Sequence, residues 1–318
     1  MQSLEFSFVE QRTYANSLDI RHLHAASSER RPARRGLVVL TPYLMKFTES
    51  ELLQYYLQLA DAANKPAFQI HSRNSPDGLD LARVFPGTPH GRPTEQIAFA
   101  VNELIESDDY LIDLHTGGQA LNISPLVGYM LVPGEAVIEQ RQMAHAFGLP
   151  IVWGTSLRLE GRSLSAARDA AMPAIYGAGV AAYVDGCLRV MTQLNMLSAT
   201  AEAEEPCRCV VEDDRDASGH LQTNYPAPIA GYYEATAPID ARVAPGDELG
   251  RIFNTQRQNP TIVTATQHGR LITRRVLPAV AVGDCLAVIL EFPADTESRD
   301  AWSIFTRRWL AAAMPTRK

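Results

Sequence analysis

The chain has 318 residues, of which 46% are hydrophobic and 20% are charged, and its formal net charge is −7. This composition is typical of a globular protein of two or three domains, and the negative charge argues against a general nucleic-acid binder, because phosphate binding needs a basic surface. Four cysteines are too few for a disulfide scaffold, and the sequence shows neither a signal peptide nor an apolar run of the ~18 residues that span a bilayer. We therefore expect a cytoplasmic protein with reduced thiols and no membrane partner.

Apolar strands and amphipathic helices alternate through the first 200 residues. Strands are predicted at 36–44, 66–72, 109–115, 149–154 and 173–179, and helices at 48–64, 93–107, 134–148 and 163–172. Many of the strands are continuously apolar, which is typical of strands buried on both faces. The pattern predicts an α/β domain over residues 1–205, with a mostly parallel or mixed sheet and helices on both faces.

The composition changes near residue 200. Residues 206–294 contain strand-like runs and turn signals, and they include a short repeat, VAPGDELGRI (243–252) and VAVGDCLAVI (280–289). Each copy has a Gly-Asp turn followed by an apolar strand, so this region is predicted to be a small β barrel or sandwich related to the lipoyl/biotinyl fold. Neither turn carries the lysine that would hold a tethered cofactor. Residues 295–318 are predicted to form a C-terminal helix.

Polar residues follow the predicted strand that ends in LIDLHTGG (111–118). Asp113 and His115 lie where this strand ends, and Thr116 and two glycines come next. Ligands of open α/β sheets bind at the carboxyl ends of the strands, so His115 is placed as a metal ligand or a catalytic residue would be.

Four segments resemble the succinylglutamate desuccinylase/aspartoacylase family, which has a zinc carboxypeptidase-like fold. They are DGLDLARVFPG (77–87), PTEQIA (93–98), DLHTGG (113–118) and GYYEATAPIDARVAPGDELGRI (231–252). The resemblance covers residues 36 to 293 and implies a deacylase that hydrolyses an amide bond to an amino acid or amine. In this family a His-x-x-Glu pair and the Asp-Leu-His histidine bind zinc, a glutamate acts as the general base, and an Asn-Arg pair holds a substrate carboxylate.

The sequence departs from the family at several of these positions. Met45 and Thr48 stand where the His-x-x-Glu pair belongs, Ala82 replaces the asparagine, and Ala178 occupies the position of the general base. Shifting the alignment by one residue brings Glu49 into the glutamate position but supplies no histidine. A thioether is a poor zinc ligand, and a zinc site needs at least three N, O or S ligands. We therefore expect no cofactor at these positions, although the family binds zinc.

The retained residues define a candidate site, and each has a second interpretation. His115 and Asp113 are the candidate catalytic residues, although His115 is equally well explained as a hydrogen-bonded remnant or as a polar wall of a ligand site. Arg83, Arg73 and Thr116 are the candidate substrate-binding residues. Arg83 is expected to bind either a ligand carboxylate or a structural one such as Asp113, and Arg73 is either a second anion clamp or a loop charge.

Three functional hypotheses follow. The first is a deacylase-like protein with a degenerate zinc site, a pseudoenzyme that lacks ordinary zinc-dependent hydrolysis and binds a small carboxylate or N-acyl amine. The second is an active deacylase, either with a remodelled metal site built from His115 with His71 or His90, or with metal-free acid–base chemistry. The third is a structural role in a homo-oligomer or beside a partner paralogue.

Overall fold

A computed structural model describes the backbone of five short strands between residues 6 and 40. It also describes residues 63–178, 183–194, 209–216, 218–219, 225–254 and 256–291. Met45, Thr48, the predicted C-terminal helix and all but the last two residues of the helix predicted at 48–64 lie outside the described residues. Those two residues, 63 and 64, form a turn.

The chain divides into two compact units. Over the described residues, the first unit comprises the segments up to Thr116 and Pro125–Ser218, and the second comprises Gly117–Ser124 and the segments from Gly219 onwards. Strand Cys209–Glu212, which the sequence analysis placed in the C-terminal domain, pairs with Ile151–Thr155 in the sheet of the first unit. Its apolar residues Cys209 and Val210 are buried there, and removing their apolar surface from water favours this placement.

The first unit is a mixed α/β fold. Its helices are α1 (Lys65–Gln69), α2 (Pro93–Ser107), α3 (Ala136–Phe147), α4 (Ser163–Asp169) and α5 (Tyr183–Gln193). Its strands are β1 (Phe6–Phe8), β2 (Arg12–Tyr14), β3 (Leu18–Ile20), β4 (Leu23–Ala25), β5 (Leu37–Leu40), β6 (Leu111–His115), β8 (Leu126–Met130), β9 (Ile151–Thr155), β10 (Ala174–Ala178) and β11 (Cys209–Glu212). Strand β7 (Leu121–Ile123) belongs to the second unit.

The main sheet has eight strands in the order β1-β4-β5-β6-β10-β8-β9-β11. Strands β5, β6 and β10 are mutually parallel, as are β8, β9 and β11, and the two groups meet at an antiparallel β10–β8 pair. The mixed sheet agrees with the predicted fold class. The antiparallel strand β8 was not predicted, because its run LVGYM follows β7 after only two residues and was not recognised as a separate element.

Helices cover both faces of this sheet. On one face, buried side chains of α3 and α5 share a core with alternate strand residues, among them Ile112, Val127, Met143, Phe147, Ile175 and Val190. On the other face, α2 and α4 pack over a second core that includes Leu81, Ile97, Val101, Leu111, Leu164 and Ala174. The alternation of neighbours such as Leu111 and Ile112 between the two cores is the two-residue period of a strand buried on both faces.

The predictions that rest on strong local sequence signals are confirmed. Helix α2 spans Pro93–Ser107 with Pro93 in its first turn, as predicted. Helix α3 ends at Gly148, the residue predicted to close it. The strands at 111–115, 151–155 and 174–178 lie within one or two residues of their predicted positions.

The prediction of a strand at 66–72 is wrong. Residues Lys65–Gln69 form helix α1, and the side chain of Asn64 caps it by accepting a hydrogen bond from the backbone N–H of Ala67 at 3.3 Å. His71, which was expected at a strand end, has a positive φ of 52° and lies in the turn after α1. An Asn cap followed by proline is a helix-start signal that outweighed the short apolar run.

The second unit consists of β strands. They are β7, β12 (Tyr225–Pro226), β13 (Gly231–Ala235), β14 (Arg242–Val243), β15 (Glu248–Phe253), β16 (Thr261–Thr264), β17 (Gly269–Arg275), β18 (Ala279–Val280) and β19 (Cys285–Glu291). One sheet has the order β12-β19-β17-β14 with β7 added to β17, and the other has the order β16-β15-β13-β18. Both sheets contribute buried residues to one core.

The sequence repeat corresponds to a structural repeat. In the first copy the backbone N–H of Ala244 donates to the Asp247 carboxylate at 2.8 Å, and in the second Ala281 donates to Asp284 at 2.9 Å. Strand β14 of the first copy pairs with β17, whereas β18 of the second copy pairs with β13. The two copies therefore exchange their first strands, which explains why the repeat forms one core.

Among the helices of the described residues, none is long and apolar enough to cross a membrane.

Candidate active site

Asp113 orients His115 at the carboxyl end of β6. The two residues lie on the same face of the strand, and the His115 Nε2 atom is 2.8 Å from the Asp113 Oδ2 atom. Because a carboxylate only accepts, this contact places the ring proton on Nε2 and leaves Nδ1 unprotonated in the neutral ring. The His115 side chain is 28% exposed, whereas that of Asp113 is 2% exposed. Asp113 is thus a buried positioning group and His115 is the residue that reaches solvent.

The helix α4 holds Asp113 from the opposite side. Ser163, the first residue of α4, donates a hydrogen bond from its hydroxyl to the same Oδ2 atom. The second carboxylate oxygen, Oδ1, is buried and makes no hydrogen bond within the described part of the chain. A buried carboxylate with charge-assisted hydrogen bonds on one oxygen is held firmly in position. The hydroxyl of Tyr183 on α5 also donates to the backbone carbonyl of His115.

Strand β10 lies beside β6 and carries the next part of the site. In the parallel register, Tyr176 is the partner of Asp113, and Ala178 is the partner of His115. The rings of Tyr176 and His115 meet edge to face with 6.2 Å between their centres. Ala178, which is predicted to stand at the general-base position, therefore lies next to His115 and supplies only a methyl group there.

Three arginines lie around one carboxylate near this strand end. The Arg73 Nε atom donates to Asp80 Oδ2 at 2.8 Å. The charge of Asp80 also acts on Arg83 and on Arg162, and the two arginines repel each other. The arginine cluster (Arg73, Arg83 and Arg162) therefore concentrates positive charge, which attracts anions.

The loop before α4 brings Arg162 next to Arg83. The Phe85 N–H donates to the carbonyl of Gly161 at 3.1 Å. Gly161 has a φ of +74°, and a Cβ atom there would lie 2.5 Å from the Arg83 carbonyl oxygen. Only glycine permits both this backbone conformation and this close approach. Gly161 thus joins two loops that are far apart in the sequence.

Partial burial lowers the pKa of two of these arginines. Loss of hydration, followed by repulsion from Arg83, lowers the pKa of Arg162 to about 10, and Tyr176 and Asp80 oppose the shift. Arg83 remains more than a third exposed as a residue, and yet partial desolvation and then Arg73 lower the pKa of its guanidinium. Both groups stay charged at neutral pH, and both gain from an anion that replaces the lost water.

The structure describes all of the predicted site residues except Met45 and Thr48. Asp113 contacts His115 rather than Arg83, whose neighbouring carboxylate is Asp80. Ala82 lies beside this carboxylate and donates its backbone N–H to Asp80 Oδ1 at 3.0 Å. Thr116 follows His115 and is partly buried.

Three residues of the site were missed from the sequence: Arg162, Ser163 and Tyr176. Arg162 lies between a predicted strand and a predicted helix, and Ser163 is the first residue of that helix, so both follow the kind of strand end that pointed to His115. Tyr176 is two residues before Ala178, so the alternation of a strand places both on one face.

The resemblance implies a zinc ion, and two of the positions that would hold it, Met45 and Thr48, lie outside the described residues. Among the residues that the structure describes, no three His, Cys, Asp or Glu side chains lie close enough together to hold a metal. His71 and His90 are exposed loop residues, and neither forms such a group with His115 and Asp113.

Comparison with known proteins supports the family resemblance. Residues 36–177 match the model of the succinylglutamate desuccinylase/aspartoacylase catalytic domain. An N-alpha-acetyl-L-2,4-diaminobutyric acid deacetylase from Halomonas elongata is 27% identical over 244 residues, which are 72% of this chain and 70% of that protein.

Solved structures share the fold. A product-bound structure of the ectoine utilization protein EutE (DoeB) from Ruegeria pomeroyi has a TM-score of 0.66 at 21% identity, covering 92% of this chain and 100% of that chain. A succinylglutamate desuccinylase/aspartoacylase from Rhodobacter sphaeroides has a TM-score of 0.70 at 18% identity, covering 92% and 96%.

Proposed function

Since the chain belongs to the succinylglutamate desuccinylase/aspartoacylase family, we propose that it binds an N-acyl amino acid or a related small carboxylate without ordinary zinc-dependent hydrolysis. The ligand site comprises the arginine cluster and the Asp113–His115 pair. The observation that carries the proposal is the set of three arginines near Asp80, of which Arg83 and Arg162 repel each other. A carboxylate bound there accepts charge-assisted hydrogen bonds from the guanidinium groups.

The loss of hydrolysis is proposed from the substituted positions. Ala178 supplies no proton acceptor beside His115, and a positioned general base contributes roughly 10²–10⁴-fold to such a reaction. Met45 and Thr48 supply a thioether and a hydroxyl where the family has histidine and glutamate. No step of the proposed function passes through a metal ion.

An active deacylase is the second candidate. It is favoured by the intact Asp113–His115 pair, which keeps the His115 ring in the tautomer with Nδ1 unprotonated, and by the deacetylase activity named for the Halomonas elongata relative. The ligand class is the same in both candidates, and only turnover separates them.

Calorimetric titration with N-alpha-acetyl-L-2,4-diaminobutyric acid tests the binding. We expect saturable binding that Arg83→Ala weakens at least tenfold, since a charge-assisted hydrogen bond contributes about 1.5–3 kcal/mol. Arg251→Ala, which removes an exposed arginine of the second unit, is the matched control and should bind normally. Absence of binding to the unmodified protein would refute the proposal.

Detection of free acetate by NMR separates the two candidates. No acetate above the uncatalysed rate is expected, with or without added zinc. Turnover that disappears in His115→Ala would establish the second candidate instead.

Restoring the family's zinc ligands gives a further test. The double variant Met45→His with Thr48→Glu is expected to bind zinc more tightly than the unmodified protein in metal analysis, because it supplies two further ligands beside His115. Fast hydrolysis is not expected to return, because Ala178 still supplies no base. Stoichiometric zinc in the unmodified protein, lost in His115→Ala, would contradict this expectation.

A further inference from the structure

Tyr176 occupies a place on the sheet that depends on a glycine. In register, Tyr176 lies between Asp113 on β6 and Gly128 on β8, with all three on one face. A Cβ atom at Gly128 would lie 2.2 to 2.4 Å from the Cε1, Cζ and hydroxyl atoms of Tyr176. The phenol ring therefore lies flat over Gly128, and any other residue at position 128 would displace it.

The Tyr176 side chain is close to both halves of the candidate site. Its ring meets the His115 ring edge to face at 6.2 Å. The charge of Arg162 acts on its hydroxyl. Tyr176 thus connects the Asp113–His115 pair with the arginine cluster.

The Tyr176 hydroxyl has no hydrogen-bond acceptor among the described residues. Burial raises the pKa of Tyr176 above its ordinary value, and the charge of Arg162 only partly opposes this shift. The phenol is therefore protonated at neutral pH. The residue is partly exposed, and its hydroxyl makes no hydrogen bond in the described part of the chain. Such a donor gains most from an acceptor that a ligand brings.

We propose that Tyr176 selects the charged carboxylate of the ligand, by donating a hydrogen bond to the same group that Arg162 binds. This inference rests on the proposed function. Arginine and a phenol O–H both donate, so the group between them must accept on every side. A carboxylate has about four acceptor positions and no donor, whereas a primary amide turns an NH₂ group towards one of the donors. The site is therefore specific for the free acid of an N-acyl amino acid over its amide.

The test compares two ligands on two proteins. Calorimetry measures the affinity of the unmodified protein and of Tyr176→Phe for N-alpha-acetyl-L-2,4-diaminobutyric acid and for its primary amide. Tyr176→Phe is expected to weaken binding of the acid by about tenfold, the value of a hydrogen bond to a charged group, and to leave binding of the amide nearly unchanged. Tyr232→Phe, the same change at an exposed position of the second unit, should alter neither affinity.

A second variant tests the placement of the ring. Gly128→Ala retains the Tyr176 hydroxyl but puts a methyl group where the ring lies, so it should also reduce the preference for the acid. Thermal unfolding of each variant is the control that tests whether the first unit remains folded.

Each other outcome identifies which inference fails. If Tyr176→Phe weakens binding of acid and amide equally, or changes neither while Arg83→Ala still weakens both, the role of Tyr176 is refuted and the proposed function stands. If the unmodified protein binds neither ligand, the proposed function fails and the inference about Tyr176 fails with it.

Discussion

Gly161→Ala is expected to disturb the arginine cluster without removing any charge. The added Cβ atom would lie 2.5 Å from the Arg83 carbonyl oxygen and 2.7 Å from the Arg83 carbonyl carbon, at a φ of +74°. The left-handed conformation costs an alanine about 1 kcal/mol. Backbone atoms cannot yield as a flexible side chain does, so the steric overlap adds about 1–3 kcal/mol.

Gly134→Ala is the matched control for this change. Gly134 also has a positive φ, +85°, but apart from its chain neighbours no atom of the described residues lies within 4 Å of its added Cβ. The difference in unfolding free energy between the two variants therefore isolates the close approach at Arg83, and we expect about 1–3 kcal/mol.

Urea denaturation measures this difference, and calorimetry with N-alpha-acetyl-L-2,4-diaminobutyric acid measures its effect on the site. Gly161→Ala is expected to weaken binding, because Arg83 and Arg162 must separate to admit the methyl group, whereas Gly134→Ala should bind normally. Equal stability and equal affinity of the two variants would refute the view that the contact at Gly161 aligns the arginines.

Three further predictions concern the framework of the first unit. Ser163→Ala should lower the unfolding free energy by about 1.5–3 kcal/mol in urea denaturation, because it removes a hydrogen bond to the buried carboxylate of Asp113. Phe147→Ala should lower it by about 3–5 kcal/mol in the same measurement, because the ring is fully buried. The hydrogen bond from Arg215, opposed by burial, lowers the pKa of Asp213. Stability from this group is therefore present above the ordinary aspartate pKa of about 3.9 and is lost as the pH falls below it, and Asp213→Asn should flatten the stability–pH curve there.

Elements with strong local signals were predictable from the sequence. Helix α2 carries a proline in its first turn and a helical stripe, and helix α3 carries a closing glycine, so their positions follow from interactions within a few residues. Strand β6 is an apolar run that ends in a polar motif, which placed His115 at the end of a strand. The repeat of the second unit was visible because each copy contains the same Gly-Asp turn.

The sequence predictions failed where short segments carry conflicting signals or too few signals. Residues 66–72 have the apolar content of a strand, yet the Asn64 cap and the proline after it form helix α1. Strand β8 was missed because a five-residue run directly after another short strand has no helix or long turn to delimit it. Strand β11 was assigned to the C-terminal β domain, whereas it pairs with β9 in the first unit, because local sequence does not determine which distant strand a strand pairs with.

Residue identity and order along the chain were enough to establish the family resemblance and the strand-end position of Asp113 and His115, and to predict the substitutions at Met45, Thr48 and Ala178. These features are read from residue identity and from neighbours in the chain. Only the tertiary structure shows that Arg162 lies near Arg83 and that the ring of Tyr176 packs over Gly128. Both depend on strand order and on backbone contacts between segments far apart in the chain, and no local propensity encodes which segments meet.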